Sequence, residues 1–189
     1  MIQRPGVQIN IPLIPAGTPS IAGQQVEMYW LWTTGGSLSP NFPKPGREDR
    51  AHKFDWEPSL LPEFTDAIGG AAKRVLILDP HFDEKIGLIP LWPFFVAAAA
   101  PEIQILVPKK IEFLLMKNWM KTNAPDITKV RVRKTPLSFH DRFAVVDNDL
   151  WHFGSTVGGG HPKFSAVTKG WNGDIFAEVF RSLWEKAEA

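Results

Sequence analysis

The chain has 189 residues, a formal net charge of +1 and no cysteine. That length suits one domain with a real core. The charge balance lacks the basic excess that marks many nucleic-acid binders, and the absence of cysteine excludes disulfides and cysteine-ligated zinc.

The first residues, MIQRPGVQINIPLIPAG, lack the charged and long apolar regions of a secretory leader. Residues 1–50 are rich in Pro, Gly, Ser and Thr. They read as an extension or edge-strand region of a single domain spanning 1–189. Two apolar pieces there, VQINIPLI and VEMYWLW, suit strands, and residues 33–49 suit a long loop. From residue 58 the texture changes. PSLLPEFTDAIGGAAK predicts a helix with Pro58 near its start, and RVLILDP predicts a buried strand. IGLIPLWPFFVAAAA is broken by Pro90 and Pro93. It is too short and kinked to span a membrane and suits a buried helix after a turn. A cytoplasmic protein is expected. EIQILVP is a second buried strand. KKIEFLLMKNWMK is an amphipathic helix, with Ile111, Leu114, Leu115 and Met116 set against lysines. KVRVRK alternates as a strand. FAVV and FSAVT are further strands, and DIFAEVFRSLWEKAEA closes the chain as a helix whose Ile175, Val179 and Leu183 stripe should pack on the sheet. Alternating strands and helices with continuous apolar strands predict an α/β fold: a mixed, largely buried β-sheet flanked by helices on both faces.

The stretch SFHDRFAVVDNDLWHFGST, residues 138–156, holds the chemistry. Strand alternation puts His140 and Arg142 on one face. With DNDL as a four-residue turn and WHFGS returning antiparallel, Val146 meets Trp151 and Arg142 meets Ser155. His140, Arg142 and Ser155 then converge, and His152 points the other way. A guanidinium donates two parallel hydrogen bonds to phosphate oxygens, a hydroxyl adds a third, and neutral imidazole can attack phosphorus. The plain alternative is a core histidine held by Asp147 beside a surface ion pair of Arg142. The whole set, with its Gly-Ser return, favours phosphate.

His140-x-Arg142-x4-Asp147-x6-Gly154-Ser155 resembles the His-x-Lys-x4-Asp-x6-Gly-Ser signature of the phospholipase D superfamily. AAKRVLILDPHFD is similar to the strand its members carry upstream, and the likeness covers residues 58–186. It implies a phospholipase D-like sandwich and a metal-independent phosphodiesterase that needs no cofactor. One motif histidine would be the nucleophile, and a second motif's histidine would protonate the leaving oxygen. With one motif in the chain, a homodimer would bring two copies of His140 together. Arg142 would clamp the phosphate, Ser155 would assist, and Asp147 is carried over as a motif residue, with orienting the turn an equal reading. The sequence departs from the family at three places. Arg142 replaces lysine, Gly158 stands where an asparagine is usual, and KFSAVTK lacks a glutamate. Lys163 and Lys169 match a lysine-bearing loop of some relatives.

Other residues have weaker claims. His81 follows RVLILDP at the strand end where α/β sheets place ligands, so it joins Lys163 as a substrate-binding candidate, with a solvated loop histidine as the alternative. Lys129, Arg131 and Arg133 share a strand face; Arg131 and Arg133 could guide a polyanion, or this could be a solvated edge strand. Glu27 could border the site. Asp79 and Asp83 straddle a proline without a third ligand, so no metal is expected. Nucleic acid is preferred over lipid as substrate. The alternative is a catalytically degenerate binding or assembly module within a larger bacterial complex.

Overall fold

The computed structural model describes residues 27–31, 60–158 and 165–189. The expected strand VQINIPLI, the loop at 33–49 and Lys163 lie outside them.

Four consecutive buried residues, Val75–Leu78, form a strand with both faces covered. Among the described residues, seven strands make one sheet: β1 (Glu27–Leu31), β2 (Val75–Leu78), β3 (Ile103–Val107), β4 (Val130–Lys134), β5 (Arg142–Val146), β6 (Asp149–Phe153) and β7 (Ser165–Asn172). Their order is β1-β7-β6-β5-β2-β3-β4. β2, β3 and β4 run parallel, joined by helical crossovers. β5, β6, β7 and β1 pair antiparallel, and β5 joins them to β2.

The helices are α1 (Pro62–Gly69), α2 (Ile89–Ala97), α3 (Lys110–Asn123) and α4 (Gly173–Glu185). α1 begins at Pro62, four residues later than expected from Pro58. A proline suits the first turn because its missing N–H would have no helical partner there. A π-helical turn, Glu84–Leu88, leads into α2, and the Asp83 side chain caps it by accepting from the Ile86 amide at 2.7 Å. Asp83 is therefore a cap.

Side-chain alternation divides the core. Val75, Ile77, Ile105, Ala144, Trp151 and Phe153 face one way, onto Phe64, Leu91, Phe95 and Met116 of α1, α2 and α3. Leu76, Leu78, Leu106, Val145 and Leu150 face the other way, onto Ala177, Phe180 and Trp184 of α4. The mixed sheet with helices on both faces is thus as expected, but the packing stripe of α4 is so only in part: Leu183 packs against the core, and the other two residues do not. Ile175 is 64% and Val179 54% exposed. Gly173 sets the helix phase: its amide donates to Asn148 O, and a Cβ there would lie 2.5 Å from that oxygen. The phase turns Phe180 and Trp184 inward, and those two rings bury more apolar area than Ile175 and Val179 could. In α3, likewise, Phe113 and Met116 are buried and Ile111, Leu114 and Leu115 are exposed.

The C-terminal segment bridges the β4 edge at Lys134. Lys134 and Glu188 exchange two backbone hydrogen bonds and form an ion pair at 2.6 Å. The Arg133 guanidinium donates to Trp184 O at 2.8 Å and lies over the Trp184 ring. A bridge there occupies the backbone groups of Lys134 at the carboxyl end of the edge.

Candidate functional site

The carboxyl end of β2, the start of β5 and the end of β6 meet at one margin of the sheet. Leu78 pairs with Phe143, and Arg142 pairs with Phe153. The β5–β6 turn is tighter than DNDL implied. Val146 pairs with Asp149, leaving Asp147 and Asn148 as a two-residue turn. Arg142 therefore faces Phe153 instead of Ser155, and Ala144 instead of Val146 faces Trp151. The error is an even number of residues, so every side chain keeps its expected face. Ser155 is buried just past the end of β6, and His152 lies on the face opposite Arg142, stacked on Phe143 at 4.8 Å.

Asp79 completes the cluster. It continues the Val75–Ile77 parity onto the Arg142 face, and it is fully buried. Its Oδ1 accepts from the His81 amide at 2.7 Å and its Oδ2 from the Val157 amide at 2.7 Å. Arg142 Nε stands 3.9 Å from Asp79 Oδ1. Burial pushes the Asp79 carboxyl up to about 6, against the opposing pull of the Val157 and His81 amides, the Arg142 guanidinium and the Phe82 amide. Arg142, with its side chain 17% exposed, also donates from Nη1 to Gly154 O at 3.3 Å.

Three buried polar atoms at this margin, Arg142 Nε, Ser155 Oγ and Thr156 Oγ1, have no hydrogen-bond partner among the described residues. Buried donors without partners are costly and rare, and a bound anion or water is the usual remedy. The following Gly158 has φ 97°, and a Cβ there would press on Leu91 and Leu60. An asparagine at that position would be strained and crowded.

His140 lies in the loop just before β5, with its side chain 93% exposed. Its Nδ1 is 3.6 Å from Asp141 Oδ1, and His152 Nε2 is 4.0 Å from the same oxygen. Both separations are too long for hydrogen bonds.

The remaining candidates lie elsewhere or bear on the margin indirectly. Asp147 is at the opposite end of β5. Its φ of 54° is left-handed, a conformation Asp tolerates in tight turns. Its carboxylate accepts from the amides of Ala72, Lys73 and Arg74, the shortest at 2.7 Å from Lys73. Partial burial pushes this carboxyl up, but the three amides and the Lys73 ammonium hold it below the usual range. His81 touches the cluster through its backbone amide, and its side chain is exposed. Arg131 and Arg133 are on β4, three strands from β5, and their heads are engaged by Glu102 and by Trp184. Lys129 is held by Val96 O and Ala98 O. Lys169 pairs with Asp149 at 3.3 Å, toward the Asp147 end. Glu27 pairs with Lys169 and so also lies away from the margin. Among the described residues, no group of three His, Asp or Glu side chains is placed to hold a metal ion.

Sequence reading missed Asp79 as a member of this cluster. The signal was its parity: it stands two residues after Ile77, at a strand's carboxyl end, on the face assigned to Arg142 and Ser155.

Solved structures share the fold. Nuc from Salmonella typhimurium, a phospholipase D family member, superposes with a TM-score of 0.55 at 14% identity, over 87% of this chain and 97% of that chain. The fold is phospholipase D-like. NucT from Helicobacter pylori matches with a TM-score of 0.48 at 9% identity over 67% of this chain and 88% of that chain. TrmBL2, an archaeal chromatin protein, matches with a TM-score of 0.47 at 18% identity over 67% of this chain, which spans 49% of that chain. No family model and no curated protein matches the sequence. On the phospholipase D-like sheet, the Arg142 margin lies where the parallel strands end, the side on which open α/β sheets receive ligands.

Proposed function

We propose that the protein is a metal-independent phosphodiesterase that acts as a homodimer, with nucleic acid as the preferred substrate. One observation carries this reading: Arg142 Nε, Ser155 Oγ and Thr156 Oγ1 are each buried without a partner among the described residues, while His140, two residues before Arg142, is exposed. The phospholipase D-like fold supports it.

The chemistry divides into two transfers. A phosphodiester monoanion docks on Arg142 and the Ser155 hydroxyl. An unprotonated nitrogen of His140 attacks phosphorus, the bond to the leaving oxygen breaks, and a phosphohistidine forms. The leaving oxygen takes a proton from His140 of the second copy. That histidine, now neutral, accepts a proton from water as the water oxygen attacks phosphorus, and the P–N bond breaks to release the monoester. Near-complete exposure of His140 leaves it open to approach by a second copy. Asp147 serves the site from the far end of β5, by fixing the turn that sets the Arg142–Phe153 register.

The second reading is a degenerate binding or assembly module. Gly158 favours it, because its positive φ and the nearby Leu60 and Leu91 side chains disfavour the usual asparagine. One experiment separates the two. Purified protein and His140→Ala are incubated in EDTA with single-stranded DNA, RNA and a chromogenic phosphodiester. Cleavage that resists EDTA and is lost in the variant supports the enzyme. Equal background in both proteins refutes it and leaves the module. Sedimentation tests the dimer, and a monomer at high concentration would remove the second histidine.

A further inference from the structure

Asp79 is the buried charge that the proposed reaction leaves unused. Its two oxygens take the His81 and Val157 amides at 2.7 Å each, and Oδ1 also faces Arg142 Nε at 3.9 Å. One carboxylate therefore holds both walls of the cradle: the guanidinium from β5, and the Gly154–Val157 loop that carries Ser155 and Thr156.

We infer that Asp79 is a proton-linked positioning residue. It fixes Arg142 and the Ser155–Val157 loop to receive a phosphodiester anion, and it takes up a proton when that anion binds. This rests on the phosphodiester reading above. The cause is electrostatic. An anion on Arg142 shares the guanidinium that now screens Asp79, and its own negative charge disfavours the ionised form of a carboxylate that is fully buried. Burial already holds the empty site's carboxyl at about 6, so a further push brings it through neutrality. Among the described residues, the charged side chain acting on Asp79 is Arg142. The loop presents the Val157 amide, and the turn after β2 presents the His81 and Phe82 amides with the His81 ring exposed. Because binding consumes a proton, affinity falls as pH rises above the empty-site value, by up to about tenfold per pH unit.

The test is calorimetric titration of the full chain carrying His140→Ala with bis-p-nitrophenyl phosphate, in two buffers of different ionisation enthalpy. The ligand stays a monoanion throughout, and the variant removes both turnover and His140 titration. A fractional proton uptake near neutral pH is expected, lost in the His140→Ala, Asp79→Asn double variant. A purely structural Asp79 would weaken binding without moving protons. Uptake unchanged by Asp79→Asn, or absent with Asp79 present, overturns the inference and leaves the phosphodiester reading standing. No binding by wild type or variant overturns both. If the Asn variant does not fold, the Asp79 carboxyl carbon is followed by NMR against pH, with and without the diester. An upward move of its midpoint supports the inference, and an unmoved midpoint refutes it.

Discussion

Ionising Asp79 leaves a negative charge where no solvent reaches it, offset by backbone amides and one guanidinium. Its folded pKa of about 6 stands above the ordinary 3.8. Between these values the folded chain binds more protons than the unfolded chain, so stability falls as pH rises through that window and levels off above it. A rise of about two units corresponds to about 3 kcal/mol. Urea denaturation across pH should show wild type losing about that much relative to Asp79→Asn from about pH 4 to about pH 7. A constant gap between the two proteins would contradict the buried charge. Asp147 behaves in the opposite sense. Its folded pKa is depressed, so its contribution is present above 3.8 and lost as pH falls through the folded value. Asp147→Ala should cost about 1–2 kcal/mol at neutral pH, by freeing the amides it caps, and much less in strong acid. A melting temperature equal to wild type at neutral pH would refute the anchoring role.

At the scale of elements, α4 is the clearest test of which side chains hold the sheet. Phe180→Ala should cost about 3–4 kcal/mol in denaturant unfolding, and Ile175→Ala less than about 0.5 kcal/mol. The reverse order would place the helix a third of a turn away from its observed phase. Arg133→Ala should cost about 1–2 kcal/mol, because both its carbonyl bond and its stacking on Trp184 tie the C-terminus to β4. These elements show what the sequence makes legible. Strand parity around Arg142 survived a turn misread by two residues, because the pleat repeats every two. Helix phase did not survive in α4, where apolar residues on several faces satisfy the same period. A glycine packed on a distant carbonyl decided it, and such a contact leaves no local trace. Asp147 matched its spacing yet caps the chain that enters β2, since spacing along a strand does not say which end of it a group will serve. Asp79 was visible as a residue, but its role depended on Val157, which is close only after folding.

For the molecule as a whole, the candidate margin at Arg142 and the edge at β4 lie three strands apart. Among the described residues no helix is long and apolar enough to cross a membrane. The cations of β4 are already engaged by Glu102, by Glu188 and by the α4 carbonyl at Trp184. If nucleic acid binds, Arg131→Ala should therefore leave the salt slope of oligonucleotide affinity nearly unchanged, whereas Arg142→Ala should lower it by about 1. A large fall with Arg131→Ala would return β4 to the binding surface.

β1 lies on the outer flank of β7, with Glu27 opposite Lys169. The earliest described strand to leave the ribosome thus waits for one of the last. Until β7 is synthesised, β6 lacks its outer neighbour and β1 has nowhere to dock, a delay that high contact order turns into slow closure. Translation stalled before Ser165 should yield chains that proteases cut readily and chaperones retain. Release of the final stretch would then zip the meander shut in a single late event.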